Sequence, residues 1–291
     1  VLNDAPWRRT EKETRSAPSV SVPDLTDMPD PGRGKSSTQV AFGKIMNDLA
    51  RLETDFVSRI VTTSPDVTVS TNLGGFVNRK GLFSRSASED VFRKRKIASP
   101  QIWAHSPKGQ HIELGIAENN LFLMLGALGL SKDLFDQRIF PVGTVYDPFI
   151  ARGLDALNYA CYQDARFILA ATPSGLTLGP EGGAHQSVSS PLIGMGQPGL
   201  TYWEPAFSDE VRVILREAFD AVEREQGGSS YLRLSTRSIE QIDREISSGL
   251  ASDILGGAYW LKAPAENAEI SIAYCGAVAS EALAAFEQLK E

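Results

Sequence analysis

HIELGIAENNLFLMLGALGLS, residues 111–131, decides the fold. A polar opening passes through Gly115 to Glu118 and then into a run, Leu121 to Leu130, that carries no charge. The spacing predicts a helix that is apolar on nearly every side, hence without a wet face and buried. Glu118 stands at the N-terminal edge of that helix. The positive end of the helix dipole favours its ionised form, whereas apolar surroundings oppose it, and an unmet carboxylate there is costly. Two readings of Glu118 stay open on the residues alone: a helix-capping glutamate, or an acid that faces a ligand.

Outward from this stretch, strands and helices alternate. RIFPVGTV (138–145) reads as a strand, DPFIARGLDALNYACYQ (147–163) as a helix and RFILAATP (166–173) as a strand. A glycine-rich loop with the polar run GPEGGAHQSVSS follows; then LTYWEP (200–205) is a strand, 207–224 a helix and SSYLRLS (229–235) a strand. Strands apolar along their whole length, alternating with helices, predict an α/β fold, a parallel sheet with helices on both faces. Ligands of such sheets gather at the carboxyl ends of the strands. Glu118, Tyr146 and the 174–190 loop all fall at such ends.

Residues 1–37, rich in proline and glycine, read as a linker or extended arm. Ser36, Ser37 or Thr38 caps a predicted helix over 38–60, with Val40, Ile45, Leu49, Leu52, Phe56 and Ile60 on its apolar face. Asp66 to Ser70 reads as a short alternating strand, 71–85 as a glycine-broken loop and 86–96 as a polar helix. Residues 236–266 read as a second linker, and 267–291 as a strand, a glycine turn and a helix, the start of a second α/β domain. The chain opens without methionine and stops inside a helical pattern, so the expectation is a part of a longer polypeptide.

With 42% hydrophobic and 22% charged residues the composition is that of a globular protein. The net charge of −7 argues against nucleic acid and anionic membrane surfaces as partners. Arg93 to Lys96 reads as a solvated helix end. No apolar run reaches membrane-spanning length. Cys161 and Cys275 sit in apolar runs and read as buried free thiols, which points to a reducing, cytoplasmic setting.

Of the three histidines, His185 lies in GPEGGAHQ, where glycines let backbone approach a ligand closely, and is the acid/base candidate. His105 and His111 flank a turn and read as surface residues; no metal-ligand cluster can be built from histidine and cysteine. Tyr146 and Phe149 are read as core or as a shelf for a ligand, and Arg152 with Asp155 as a helix-surface ion pair at i and i+3.

ELGIAEN (113–119), YDPFIARGLDAL (146–157) and GPEGGAHQ (179–186), in this order and at these intervals, resemble the pyrimidine-binding domain of thiamine-diphosphate enzymes of the transketolase superfamily. STQVAFGKIM (37–46) and EPAFSDEVRVIL (204–215) resemble the homodimeric pyruvate dehydrogenase E1 branch most. The resemblance implies the thiamine-diphosphate-binding fold over 38–235. It matches Glu118 to the glutamate that hydrogen-bonds the aminopyrimidine and promotes its imino tautomer. Phe149 matches the aromatic that stacks on that ring, with Tyr146 beside it, and His185 the histidine that faces the thiazolium. Arg152, Glu181 and Gln186 fall at positions that meet substrate.

Where transketolases carry a histidine for the sugar phosphate, this chain has Pro173 and Ser174, and Glu181 stands where they carry an aspartate, as in E1 enzymes. The expected reaction is therefore decarboxylation of a 2-oxo acid with acyl transfer to a lipoyl group on a partner acyltransferase. Ketol transfer or carboligation of the deoxyxylulose-phosphate-synthase kind is the alternative, and a catalytically inert segment the third. The Mg²⁺ and diphosphate belong, by the same resemblance, to a domain with a GDG…N pattern. No GDG occurs in these 291 residues, so the missing half is expected from a homodimer mate or a partner chain.

Overall fold

The computed structural model describes residues 17–89, 91–175, 177, 179 and 182–289. A two-residue strand, Lys35–Ser36 (β1), leads to Ser37, whose hydroxyl accepts the Val40 N–H at 3.2 Å and caps helix α1, Thr38–Leu49. The helix expected over 38–60 ends there. Thr54 accepts the Val57 N–H at 3.2 Å and starts a separate turn, α2 (Asp55–Ser58), and the β-branched run after it forms strand β2, Ile60–Ser64. Val40 and Leu52, expected on the buried face, are exposed.

The strand expected over 66–70 is a turn. Asp66 takes φ +65° and its N–H is drawn to Glu113 Oε1 at 2.8 Å, while Thr71 N–H bonds back to the Val67 carbonyl at 2.9 Å. The expected loop over 71–85 contains helix α3 (Gly74–Lys80) and strand β3 (Leu82–Phe83). Helix α4 keeps only Val91–Lys94 of the predicted polar helix, exposed throughout. Strands β4 (His105–Ser106) and β5 (His111–Glu113) lead into α5, Glu118–Gly129, and the short α6, Ser131–Phe135.

The second half follows the predicted rhythm: β6 (Phe140–Val145), a 3₁₀ segment (Asp147–Gly153) running into α7 (Leu154–Tyr162), and β7 (Ile168–Ala171). Then come α8 (Ser190–Gly196), β8 (Leu200–Trp203), α9 (Ser208–Glu223) and β9 (Ser229–Arg233). The Glu210 carboxylate accepts the Ala206 and Phe207 N–H groups at 2.7 and 3.2 Å, which fixes the start of α9. Eight strands pair in parallel in the order β4-β3-β5-β2-β6-β7-β9-β8.

Alternate residues of the central strands feed two cores. Phe140, Val142, Ile168, Ala170 and Leu232 pack with α1 and α9 on one face. Val145, Leu169, Ala171 and Tyr231 pack with α5 and α7 on the other. Helix α5 is buried on one side only: Leu121, Phe122 and Leu125 face the sheet, whereas Leu123 is 56% exposed. The absence of charge does not make a helix buried all round, because its outer face here is apolar as well.

The expected linker 236–266 carries β10 (Ile239–Glu240), antiparallel to β1, and α10 (Ser248–Leu255), whose Ile254 is buried in the first core. The described part of the N-terminal arm packs too: Val20 and Met28 are buried, and Arg212 donates to the Leu25 carbonyl at 2.6 Å. Of the expected final βα unit the helix forms (α11, Ala279–Leu289), but residues 267–275 take no strand assignment. Cys161 is buried, with its thiol pushed up to about 11 by burial, while Cys275 is exposed, contrary to expectation.

The Phe56, Phe140 and Phe219 rings meet edge to face, with centroids 4.9 to 6.0 Å apart. Phe219→Ala should lower unfolding free energy by about 3–5 kcal/mol in urea titrations; a loss below about 1 kcal/mol would mean the cluster does not hold α9 to the sheet.

Candidate functional site

The carboxyl ends of β5, β6, β7, β8 and β9 share one edge of the sheet, and the loops leaving them bring distant residues together. Gly115 turns the chain after β5 at φ +65°, a left-handed conformation that suits glycine. Glu118 follows as the first residue of α5, buried to 9% exposure, at the positive end of the helix. Its carboxylate is met by the guanidinium of Arg152, which comes from the 3₁₀ segment after β6. Arg152 also lies over the Phe149 ring, 3.9 Å from its centroid. The expected Arg152–Asp155 pair is therefore not made; the 3₁₀ geometry of 147–153 turns Arg152 toward α5 instead.

Tyr146 and Phe149 stack nearly parallel, centroids 6.0 Å apart and 14° between planes. His185 stands edge-on to both, 6.0 Å from Tyr146 and 5.5 Å from Phe149. Its Nδ1 is buried without a hydrogen-bond partner among the described residues. The structure thus assembles Glu118, Tyr146, Phe149, Arg152 and His185. Gln186 is half-buried at the end of the same 3₁₀ turn, Gly183–His185, and Glu181 lies outside the described residues.

What holds the group together was not visible in the sequence. Asp147, fully buried, accepts hydrogen bonds from the hydroxyls of Ser187, Ser190 and Tyr231 and from Arg233 Nε at 3.1 Å. Its own N–H bonds to the Pro173 carbonyl at 3.2 Å. Ser187 in turn accepts the Gly175 N–H at 3.0 Å, closing the base of the His185 loop. Arg233 bridges from Asp147 to Glu204 (2.6 Å), which receives the Tyr202 hydroxyl. Burial opposes charge on Arg233, yet the Asp147 and Glu204 carboxylates outweigh it and raise its pKa. Burial and the Asp147 charge push the Tyr231 hydroxyl far up, so it remains a donor. The only hint in sequence is Asp147 two residues after a strand, a place where an unpaired carboxylate would be hard to bury.

His111 corrects its expected surface position. It is fully buried at β5, with Thr62 Oγ1 2.8 Å from Nδ1 and Thr68 Oγ1 3.0 Å from Nε2. Beside it, Glu113 accepts from Asp66 N (2.8 Å), Thr68 Oγ1 (2.7 Å) and Leu114 N (3.1 Å), which pins the loop leading to Glu118. His105 is exposed and bonds to Ser88 at 2.7 Å. Among the described residues no three His, Cys, Asp or Glu side chains are placed to share a metal ion, and no helix is long and apolar enough to cross a membrane.

Asp147→Asn should cost about 3–5 kcal/mol of stability, because it leaves Arg233 short of a buried partner; calorimetric melting reads the loss, and an unshifted transition would refute the role. Burial pulls the Glu113 pKa upward, but hydrogen bonds from His111, Thr68 and Asp66 prevail and lower it. A carboxyl depressed in the fold contributes stability above its unfolded pKa of about 4.3 that is lost as pH falls through the folded value. Glu113→Gln should accordingly flatten the acid limb of the stability curve below about pH 4.3, read by denaturant titration across pH; an unaltered limb would contradict this.

The family described as Transketolase, pyrimidine binding domain matches residues 36–241. The pyruvate dehydrogenase E1 component of Cupriavidus necator is 23% identical over 295 residues, covering 98% of this chain and 32% of that protein. The dihydroxyacetone synthase of Pichia angusta is 29% identical over 170 residues, covering 58% of this chain and 22% of that protein. Transketolase from Leishmania mexicana shares the fold at a TM-score of 0.72 and 20% identity, over 91% of this chain and 34% of that one. The chain thus spans about a third of the length of such relatives. Its eight-stranded parallel sheet and the match over 36–241 make it a member of the transketolase pyrimidine-binding-domain family.

Proposed function

We propose that this chain supplies the aminopyrimidine-binding half of a thiamine-diphosphate-dependent active site. In our reading the whole enzyme decarboxylates a 2-oxo acid oxidatively and passes the acyl group to a lipoyl acceptor. The observation that carries this reading is the meeting of Glu118, Tyr146, Phe149 and His185 at one strand-end edge. The donor set fits an aminopyrimidine: a buried carboxylate for a ring nitrogen, an aromatic face for stacking, and a histidine nitrogen, Nδ1, without a partner among the described residues. Relatives named pyruvate dehydrogenase E1 component match 98% and 88% of this chain, against 58% and 66% for a dihydroxyacetone synthase and a transketolase, which supports the 2-oxo acid branch.

When bound, thiamine diphosphate supplies a carbon nucleophile and an electron sink for decarboxylation. The chain's own residues serve the pyrimidine side of the site. Glu118, its charge favoured by the α5 N-terminus, holds and shares a proton with a ring nitrogen. Phe149 gives the ring a flat seat and Tyr146 backs it. His185 takes or returns a proton where substrate lies, and Arg152 and Gln186 line the approach.

We assign Mg²⁺ and the diphosphate to another domain or chain, and 267–291 to the start of a following α/β domain. The apolar residues exposed along this edge, Ile116, Leu123, Val188 and Leu192, support coverage by a second chain, either a homodimer mate or a separate subunit with the diphosphate-binding half.

In the assembled enzyme, Glu118→Gln should reduce kcat with pyruvate and an artificial electron acceptor by about 10²–10⁴-fold, with an unchanged melting temperature. Near-normal turnover would remove Glu118 from the mechanism. Turnover only with a ketose phosphate and an aldose phosphate acceptor would assign the enzyme to ketol transfer instead.

A further inference from the structure

Arg152 occupies both contacts that the proposed reading gives to the aminopyrimidine. Its guanidinium is flat, lies 3.9 Å from the Phe149 centroid, and hydrogen-bonds the Glu118 carboxylate. These are a contact over an aromatic face and a hydrogen bond to the carboxyl group, the two that the proposed reading gives to the aminopyrimidine. The side chain of Glu118 is 11% exposed and that of Arg152 is 53% exposed. Glu118 therefore depends on a partner, whereas Arg152 can leave for solvent without disturbing the core. The backbone beside it is packed closely on α5, since a Cβ added at Gly153 would come within 2.3 Å of Phe122. One turn on, Asp155 is exposed and makes no ion pair among the described residues.

We infer that Arg152 is an exchangeable stand-in for the aminopyrimidine, an inference that rests on the proposed reading of this site. In the ligand-free chain it satisfies Glu118 and covers Phe149. On binding, the ring displaces it, and the guanidinium turns outward to Asp155, the i+3 carboxylate. The stand-in keeps the Glu118 carboxylate met when the ring is away and sets the ring's affinity by competition.

Thiamine without its diphosphate, titrated by calorimetry into this chain and its variants, tests the inference. Arg152→Ala should bind about tenfold more tightly than the parent, the factor equivalent to about 1.4 kcal/mol of lost competition. Arg152→Lys, which keeps the charge but loses the flat face, should fall between. Asp155→Asn should weaken binding about twofold, and unchanged affinity there would remove Asp155 as the receiving carboxylate. Equal or weaker binding by Arg152→Ala, with Glu118→Gln still lowering affinity, would overturn the stand-in and leave the pyrimidine reading intact. Indifference to Glu118→Gln, or no binding by parent and variant alike, would remove the pyrimidine reading and this inference with it.

Discussion

Everything at the strand-end edge depends on the hydrogen bonds that the Asp147 carboxylate accepts. A buried carboxylate is tolerated only when its lone pairs are filled and a positive charge stands near. Asp147 meets both demands by drawing on two separate parts of the chain, Ser187 and Ser190 around the start of α8 and Tyr231 and Arg233 from β9, while its own N–H donates to the Pro173 carbonyl after β7. Because these donors come from β9 and from the start of α8, satisfying one charge fixes the position of both against the segment after β6. Tyr146, adjacent to Asp147, and His185, two residues before Ser187, are carried along.

The network extends sideways with alternating sign. Arg233 joins Asp147 to Glu204, and Glu204 takes the hydroxyl of Tyr202 at the end of β8. On the opposite flank Glu113 gathers backbone and hydroxyl donors from the 66–68 turn and from its own loop. Two fully engaged carboxylates thus bracket the segment that begins with Glu118. Both sit at strand ends, where a parallel sheet leaves backbone groups to be met by loops rather than by neighbours.

The sequence made the sheet legible from residue 138 onward, since whole-strand apolar runs and amphipathic helices differ in period. It made the 38–85 region much less so. A helical period over 38–60 hid a cap at Thr54, and the alternation of 66–70 was outweighed by one carboxylate, Glu113, capturing the Asp66 N–H. The same holds at the site. Tyr146, Phe149 and His185 could be placed at strand ends from local pattern, but their support could not. Asp147 pairs with residues 40 to 86 positions away, a separation over which no local period carries information. His111 departs from its expected surface position for the same reason, its hydroxyl partners coming from β2 and the turn after it.

Glu118 and Asp147 carry the same charge on the same edge of the same sheet, and their surroundings separate their roles. Asp147 is fully buried and closed off by donors from β9 and the start of α8. Glu118 is nearly as buried, yet among the described residues only one side chain meets it, and that side chain is half in water. A carboxylate built for stability gathers several short donors on ordered elements; one built to work must be satisfied by something that can leave. The helix of residues 118–129 completes the distinction: its inner face is locked by Leu121, Phe122 and Leu125, so the carboxylate at its head is held still while its partner is free to change.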